Sequence, residues 1–248
     1  TTEKTAKDYM EMIDQNSDRY SLMPVEVLYD DNSISFGHSV RNGMLYYATT
    51  TEAKGLLSRT SGWDGLPFLS LQHIKINENH QGEGNPEDPE WKWNSKFHES
   101  SPIFTHDGTS LYYTSNNREP ENKKYARNLK TYRSTLADGK WQKPENLSIN
   151  SDLFSTAHPA LNPTQDTLYF ASDRPGGYGQ SDIYRVAIDS EGNLGTPENL
   201  GPKINTAGKE TFPYVSNNNE LYFSSDGHFG LGGLDVFYVK LWPIHQCS

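Results

Sequence analysis

The chain has 248 residues, of which 33% are hydrophobic, and its 32 acidic and 22 basic side chains give a formal net charge of −10 at pH 7. This balance excludes the broad basic face with which nucleic-acid-binding proteins replace the counterions around phosphates. The single cysteine, Cys247, excludes an internal disulfide and a cluster of thiolate metal ligands. No apolar run approaches the length of a membrane-spanning helix.

The N-terminal residues differ in pattern from the rest of the chain. Residues 1–21 are predicted to form a short helix or an arm, with MEMIDQ at 10–15 as its periodic element. The segment at 22–35 resembles the one at 141–154, so Val25–Tyr29 is interpreted as a displaced outer strand that closes the ring described below. The main domain is therefore expected to extend from residue 22 to residue 248.

From residue 36 onward, the sequence repeats a set of strand-like segments. The most regular one combines Leu with aromatic residues and occurs as MLYYATT, SLYYTSN, TLYFASD and ELYFSSD. Its leucines are 66, 57 and 53 residues apart, at Leu45, Leu111, Leu168 and Leu221. Alternating large side chains in short segments favour β-strands that bury both faces.

Further segments keep this spacing. A segment with a central Pro precedes each of the last three leucines, as ESSPIFT, TAHPALN and ETFPYVS, and FGHSVRN is its divergent first copy. Segments of the type DIYRV follow, and a fourth type contains Pro-Glu-Asn-Leu. We predict that each Pro lies at the start of an innermost strand, where its missing N–H costs least.

Four strand-like segments per unit of about fifty residues are typical of propeller blades, whereas an immunoglobulin-like sandwich needs about 100 residues per unit. The sequence therefore predicts an all-β fold, a β-propeller of four-stranded antiparallel blades. Four blades are recognisable, and the sequence leaves open whether they belong to a larger propeller. The repeats lie near 36–97, 98–154, 155–208 and 209–240, and residues 77–96 are interpreted as an acidic insertion that lengthens the first repeat.

Three stretches resemble the WD40-like propeller repeats of the TolB-like kind, at 98–117, 157–186 and 197–239. The resemblance covers roughly residues 22–240 and is closest to the propeller segment of OmpA-family envelope proteins of Bacteroidota. Those proteins also carry tetratricopeptide repeats and a peptidoglycan-binding domain, for which this sequence has no counterpart. The resemblance implies a periplasmic, outer-membrane-associated protein, which in some members belongs to the type IX secretion and gliding machinery.

Three side chains are candidate binding residues because they lie at or near the openings of inner strands, which line the channel of a propeller: Glu99, His158 and Glu210. The alternative is that they only hydrogen-bond neighbouring strands. Trp91 and Trp93 are further candidates, since an exposed Trp is a frequent anchor for a protein or sugar partner. The favoured interpretation makes 91–93 the outer strand of the first blade.

The sequence predicts no metal site and no cofactor. The eight histidines show no compact ligand spacing. Four acidic residues flank Gly-rich hairpins at matched positions, but without the dense spacing of a calcium loop. We predict instead that they cap backbone N–H groups in the turns. These residues are Asp173, Asp182, Asp226 and Asp235.

The regular parts of the repeats are structural, and no nucleophile or phosphate-binding motif appears. We therefore predict a non-catalytic protein-interaction or scaffold domain, not an enzyme, with envelope proteins such as secretion-machinery subunits as partners. The alternative is a glycan-binding or glycan-degrading propeller in which acids and His converge in the central channel. A passive structural spacer is the third interpretation.

Overall fold

The structure, a computed structural model, describes residues 33–50, 68–91, 97–118 and 128–241, together with Met10, Glu11, Asp14 and Gln15. Its strands form four separate antiparallel sheets, and each sheet is one blade of a β-propeller. The predicted fold is confirmed. The predicted outer strand Val25–Tyr29 lies outside the described residues.

Within each blade, strands that follow one another in sequence are neighbours in the sheet. The exception is blade 2, in which the fourth and fifth strands both pair with the third. Blade 1 contains β1 (Ser35–Arg41), β2 (Met44–Thr50), β3 (Leu69–Ile76) and β4 (Gly82–Glu87); blade 2 contains β5 (Glu99–Phe104), β6 (Ser110–Asn116), β7 (Leu129–Ala137), β8 (Lys140–Trp141) and β9 (Glu145–Asn146). Blade 3 contains β10 (Thr156–Leu161), β11 (Thr167–Ser172), β12 (Asp182–Ala187) and β13 (Glu198–Asn199); blade 4 contains β14 (Glu210–Val215), β15 (Glu220–Ser225) and β16 (Asp235–Lys240).

Apolar clusters between successive blades form the core. Tyr112 of blade 2 packs in one cluster with Leu168 and Phe170 of blade 3. Tyr169 of blade 3 packs in the next with Leu221 of blade 4. Each strand therefore presents alternate side chains to the blades on its two sides, which is the arrangement that the repeated Leu-aromatic segment predicts.

The central Pro of the inner strands lies inside the strand, so the prediction that it starts the strand is wrong. The pairing register of β5 with β6 shifts between Ser100 and Ile103, and equivalent shifts occur in β1, β10 and β14. Each shift is a β-bulge, and the bulged residues are left out of the regular pairing. A Pro at this position removes no regular ladder hydrogen bond.

The first repeat is lengthened mainly between its second and third strands, and not by residues 77–96. In blade 1, Ile74 of the third strand lies 29 residues after its partner Leu45 in the second strand. In blade 3, the equivalent residue Val186 lies only 18 residues after its partner Leu168. Part of 77–96 forms β4, the outer strand of blade 1, in which Glu87 pairs with His73. Trp91, which is interpreted from the sequence as part of that strand, lies outside it, and residues 92–93 lie outside the described residues.

The two ends of the propeller have different connections. The turn end is the end at which the first strand of each blade connects to the second and the third strand connects to the fourth. The loop end is the opposite one, with the connections between second and third strands and between successive blades. Among the residues that the structure describes, no helix has both the length and the apolar character needed to cross a bilayer.

Candidate functional site

The inner strands β1, β5, β10 and β14 surround a channel of about 650 Å³. The bulge of each strand supplies lining residues, so all four blades contribute to the same cavity. Val40, His158 and Phe212 contribute side chains to this lining. The size is within the range of small-molecule sites, which is roughly 300–1,000 Å³.

His158 is the one member of the predicted set Glu99, His158 and Glu210 that lines the channel. Its Nδ1 lies 2.6 Å from Thr211 Oγ1 of blade 4, and its backbone N–H donates to Thr114 Oγ1 of blade 2 at 2.8 Å. Burial lowers the pKa of the imidazole from 6.5 to about 4. The ring is therefore neutral at physiological pH and is held by its hydrogen bond to blade 4, while the backbone of His158 is held by blade 2.

Aromatic rings from three blades meet at this point. The imidazole of His158 stacks on the ring of Phe212, with centroids 3.8 Å apart and an interplanar angle of 20°. Phe212 in turn makes an edge-to-face contact with Phe36 of blade 1, with centroids 6.1 Å apart. These contacts bring together the inner strands of blades 3, 4 and 1.

Glu99 is buried beside the channel and not in it. Its Oε1 accepts a hydrogen bond from the Arg118 guanidinium, which also lies over the rings of Tyr113 and Tyr132. Its Oε2 has no hydrogen-bond partner among the residues that the structure describes. Burial outweighs the attraction of Arg118 and raises the pKa of the carboxyl group from 4.5 to about 7. The carboxyl group is therefore a buried titratable group of blade 2.

Glu210 occupies the equivalent position in blade 4, since Glu210 pairs with Ser225 as Glu99 pairs with Ser115. Its carboxyl group accepts hydrogen bonds from the backbone N–H of Thr206 at 2.8 Å and from the hydroxyl groups of Thr206 and Ser225, both at 2.6 Å. It is fully buried and lies outside the channel lining. Its contacts fix the connection that enters blade 4.

The five candidate residues therefore do not form one site. Neither Glu99 nor Glu210 reaches the channel, which removes the convergence of acids with His158 on which the glycan-degrading alternative depended. Trp91 is 3% exposed and stacks on Tyr46 in the core between blades 1 and 2. Trp93 lies outside the described residues.

All four acidic residues at the Gly-rich hairpins cap backbone N–H groups, but only Asp182 and Asp235 do so within the hairpin turns, as predicted. Asp182 accepts from Tyr178 and Gly179, and Asp235 accepts from Gly232. Asp173 and Asp226 accept from the residues that precede β10 and β14. In the described part of the chain, no three His, Cys, Asp or Glu side chains form a group that could hold a metal ion.

Exposed apolar side chains on the loop end are a feature that the sequence reasoning missed. They lie on connections between blades or between second and third strands: Ile34, Leu153, Tyr178, Leu231 and Leu234. The described turns of the opposite end carry no exposed large apolar side chain. The signal in the sequence is a large apolar residue within each Gly-rich loop, as in PGGYGQ and GLGGLD.

The sequence reasoning also missed Phe212 as a channel residue. The available signal was its position directly before a Pro, which it shares with Ser101 and His158. Because the inner strands of blades 2, 3 and 4 have their bulges at this dipeptide, the residue before the Pro marks the channel position of those blades.

No family model and no curated protein match the sequence, but solved structures do. The putative TolB from Agrobacterium tumefaciens is 14% identical over 80% of this chain and 62% of its own, with a TM-score of 0.47. A thermostable family-43 glycoside hydrolase is 12% identical over 80% of this chain and 72% of its own, with a TM-score of 0.50. A puromycin-hydrolysing peptidase from Mycobacterium tuberculosis is 13% identical over 87% of this chain and 31% of its own, with a TM-score of 0.48.

The likeness is one of fold. At these identities it extends to no activity, and the chain spans about 62% of the length of the putative TolB. The comparison nevertheless corrects the prediction that the protein is not an enzyme. Proteins that share the fold include a glycoside hydrolase, so a structural repeat is no argument against catalysis.

Proposed function

We propose that this chain is an interaction domain of a bacterial envelope protein and that it binds a protein partner through its loop end. The observation that carries the proposal is the difference between the two sets of connections: those of the loop end carry exposed large apolar side chains and the described turns of the opposite end carry none, while the other exposed ones of the propeller lie on strands, mostly of blade 4. Leu153, Leu231 and Leu234 are each more than half exposed and lie at the same end of their blades. Exposed apolar groups concentrated in one region are typical of interaction surfaces.

The way in which the loops are held supports the same conclusion. Asp182 accepts two backbone hydrogen bonds from the loop that carries Tyr178, and Asp235 fixes Gly232 between Leu231 and Leu234. Because a preorganised loop loses little conformational freedom on binding, such loops make efficient contact surfaces. The exposed side chains therefore project from supported loops.

The cellular setting is proposed from the resemblance to TolB-like envelope repeats. The resemblance supports a periplasmic location in association with the outer membrane, with secretion-machinery subunits as candidate partners. The net charge of −10 favours a protein partner over an anionic lipid surface or nucleic acid.

Site-specific photo-crosslinking in cells tests the proposal. A photoreactive amino acid at Leu153, Tyr178 or Leu231 is expected to give one discrete adduct with the same envelope protein from all three positions. The matched controls are the exposed turn-end residues Asn42 and Asp138, from which no such adduct is expected. Adducts of equal yield from both ends, or none from the loop end, would contradict the proposal.

A further inference from the structure

The channel differs in charge from the rest of the molecule. Charged residues make up 22% of the chain, yet no Lys, Arg, Asp or Glu occurs in the channel lining that the structure describes. Val40, Ile103 and Phe212 contribute apolar side chains, and Pro residues of three blades complete the wall. Because an unpaired charge loses its hydration in such surroundings, the cavity disfavours charged ligands.

The backbone around the channel is strained at equivalent places. Ser101, His158 and Phe212 have positive φ values of 50°, 55° and 49°. Such conformations are strained for a residue other than Gly, and residues that adopt them cluster at ligand sites. Three occur here in the same lining.

The first blade has Gly37 at the corresponding position. A Cβ there would lie 3.0 Å from the backbone nitrogen and Oγ of Ser101. The bulges of neighbouring blades therefore pack closely, and the wall that they form is preorganised.

His158 provides a hydrogen-bonding atom to this mainly apolar cavity, whose lining also includes His38 and Tyr214. Its Nδ1 is engaged by Thr211, and one face of its ring is covered by Phe212. Nε2 makes no hydrogen bond to the described residues, and it is not completely buried. It is therefore the ring atom that a ligand can meet.

We infer that the channel binds a small, uncharged, mainly apolar ligand with one hydrogen-bonding group directed to Nε2 of His158. The inference is independent of the proposed protein interface, because the channel and the loop end are different parts of the surface. Neutral imidazole, apolar walls and a volume of about 650 Å³ select against ions and against large polymers.

Two fluorescent probes that share a ring system separate the charge requirement from general hydrophobicity. N-phenyl-1-naphthylamine is neutral and has one N–H group, and 1-anilinonaphthalene-8-sulfonate adds a negative charge to the same framework. We expect saturable binding of the neutral probe at one site per chain and binding of the sulfonate at least tenfold weaker. Equal affinity for the two probes, or no binding of the neutral probe, would overturn the inference.

Variants locate the site. Val40→Arg places a cation in the channel at a position that is 55% exposed, so we expect the fold to be kept and the neutral probe to bind at least tenfold more weakly. The matched control is Leu153→Arg at the loop end, which should leave probe binding unchanged and reduce the crosslinking yield. The opposite pattern, with loss in Leu153→Arg alone, would assign the probe to the loop end and overturn the channel site without affecting the proposed interface.

A third variant tests the role of His158. His158→Phe keeps an aromatic ring against Phe212 but removes Nε2, so we expect weaker binding of the neutral probe with little change in its bound emission wavelength. Unchanged affinity in a folded His158→Phe protein would overturn the assignment of Nε2.

Discussion

The turns at one end of the propeller and the longer connections at the other end are stabilised by different kinds of contact. At the turn end, short turns contain residues with positive φ, such as Asn42-Gly43 and Asp138-Gly139, and depend on local backbone geometry. At the loop end, the connections depend on strand side chains, some near in sequence, such as Asp182, and some distant, such as Asp173, which accepts from the backbone N–H of Ser155. The comparison teaches that the turn end relies mainly on backbone geometry, with one arginine contact each to Gly108 and Gly192, whereas the loop end relies on buried side-chain hydrogen bonds, whose loss should cost more.

The largest effect is expected from Glu210→Ala. It leaves the N–H and hydroxyl of Thr206 and the hydroxyl of Ser225 without their acceptor in a buried place, and each such loss costs about 1–3 kcal/mol. We expect the free energy of unfolding to fall by about 4 kcal/mol, as measured by urea denaturation. A loss under about 1 kcal/mol would show that the loop end does not rely on these hydrogen bonds.

The next effect concerns pH and Glu99. Its folded pKa of about 7 exceeds the ordinary value of 4.5, so the folded protein binds the proton more tightly than the unfolded chain. The stabilisation is complete below pH 4.5 and is lost as the pH rises to 7, by about 3 kcal/mol. Glu99→Gln should remove this loss, so the difference in unfolding free energy between variant and wild type should grow from pH 4.5 to 7. A constant difference would contradict the prediction.

His158 in the channel should show the opposite dependence. Its folded pKa of about 4 lies below the ordinary 6.5, so the unfolded chain binds the proton more tightly. Stability is complete above pH 6.5 and is lost as the pH falls to 4, again by about 3 kcal/mol. In the wild type, as the pH rises from 4.5 to 6.5, the loss of stability due to Glu99 and the gain due to His158 nearly cancel. Denaturation of His158→Gln over this range should show the stability falling with rising pH, which Glu99 then controls alone.

A smaller effect is expected from Asp226→Ala. Its carboxylate accepts the backbone N–H of Lys209 at 2.6 Å, and this contact recurs in every blade through Thr50, Asn116 and Asp173. Because Asp226 is exposed, water replaces part of the lost bond, and we expect a cost of about 1.5 kcal/mol. Hydrogen exchange should increase at Lys209 while the turn end stays protected.

The smallest effect is expected at the turn end, from Gly43→Ala. Gly43 has a φ of 73°, and nothing lies within 4 Å of an added Cβ, so the cost is confined to the backbone conformation. We expect about 1 kcal/mol or less, measured by thermal denaturation. A loss as large as that of Glu210→Ala would remove the distinction between the two ends.

The parts of the fold that follow from repetition could be predicted from the sequence. Leu111, Leu168 and Leu221 have fully buried side chains in equivalent registers because a fixed period places them against the preceding blade. The bulges could not be predicted in this way, because one extra residue interrupts the alternation without leaving a mark in composition. The outer strand of blade 1 was missed because Pro86-Glu87 lies within an acidic stretch that hides its likeness to the later Pro-Glu pairs.

The candidate site was predicted only in part, for a different reason. Glu99 and Glu210 occupy equivalent positions in the sequence repeat, but their environments are set by Arg118 and Thr206, which lie on connections that the repeat does not determine. His158 was found because it precedes a Pro in an inner strand. Its orientation into the channel depends on the bulge, which only the structure shows.

The bulges have a consequence for how such a molecule can diversify. Every inner strand offers one residue to the axis at the same backbone geometry, and three blades already carry Ser101, His158 and Phe212 there. Exchange of this single residue, or of the dipeptide with its Pro, alters the wall of the cavity while the sheets behind it keep their registers. Single substitutions at these positions can therefore change the channel wall, in natural variants or by design, one blade at a time.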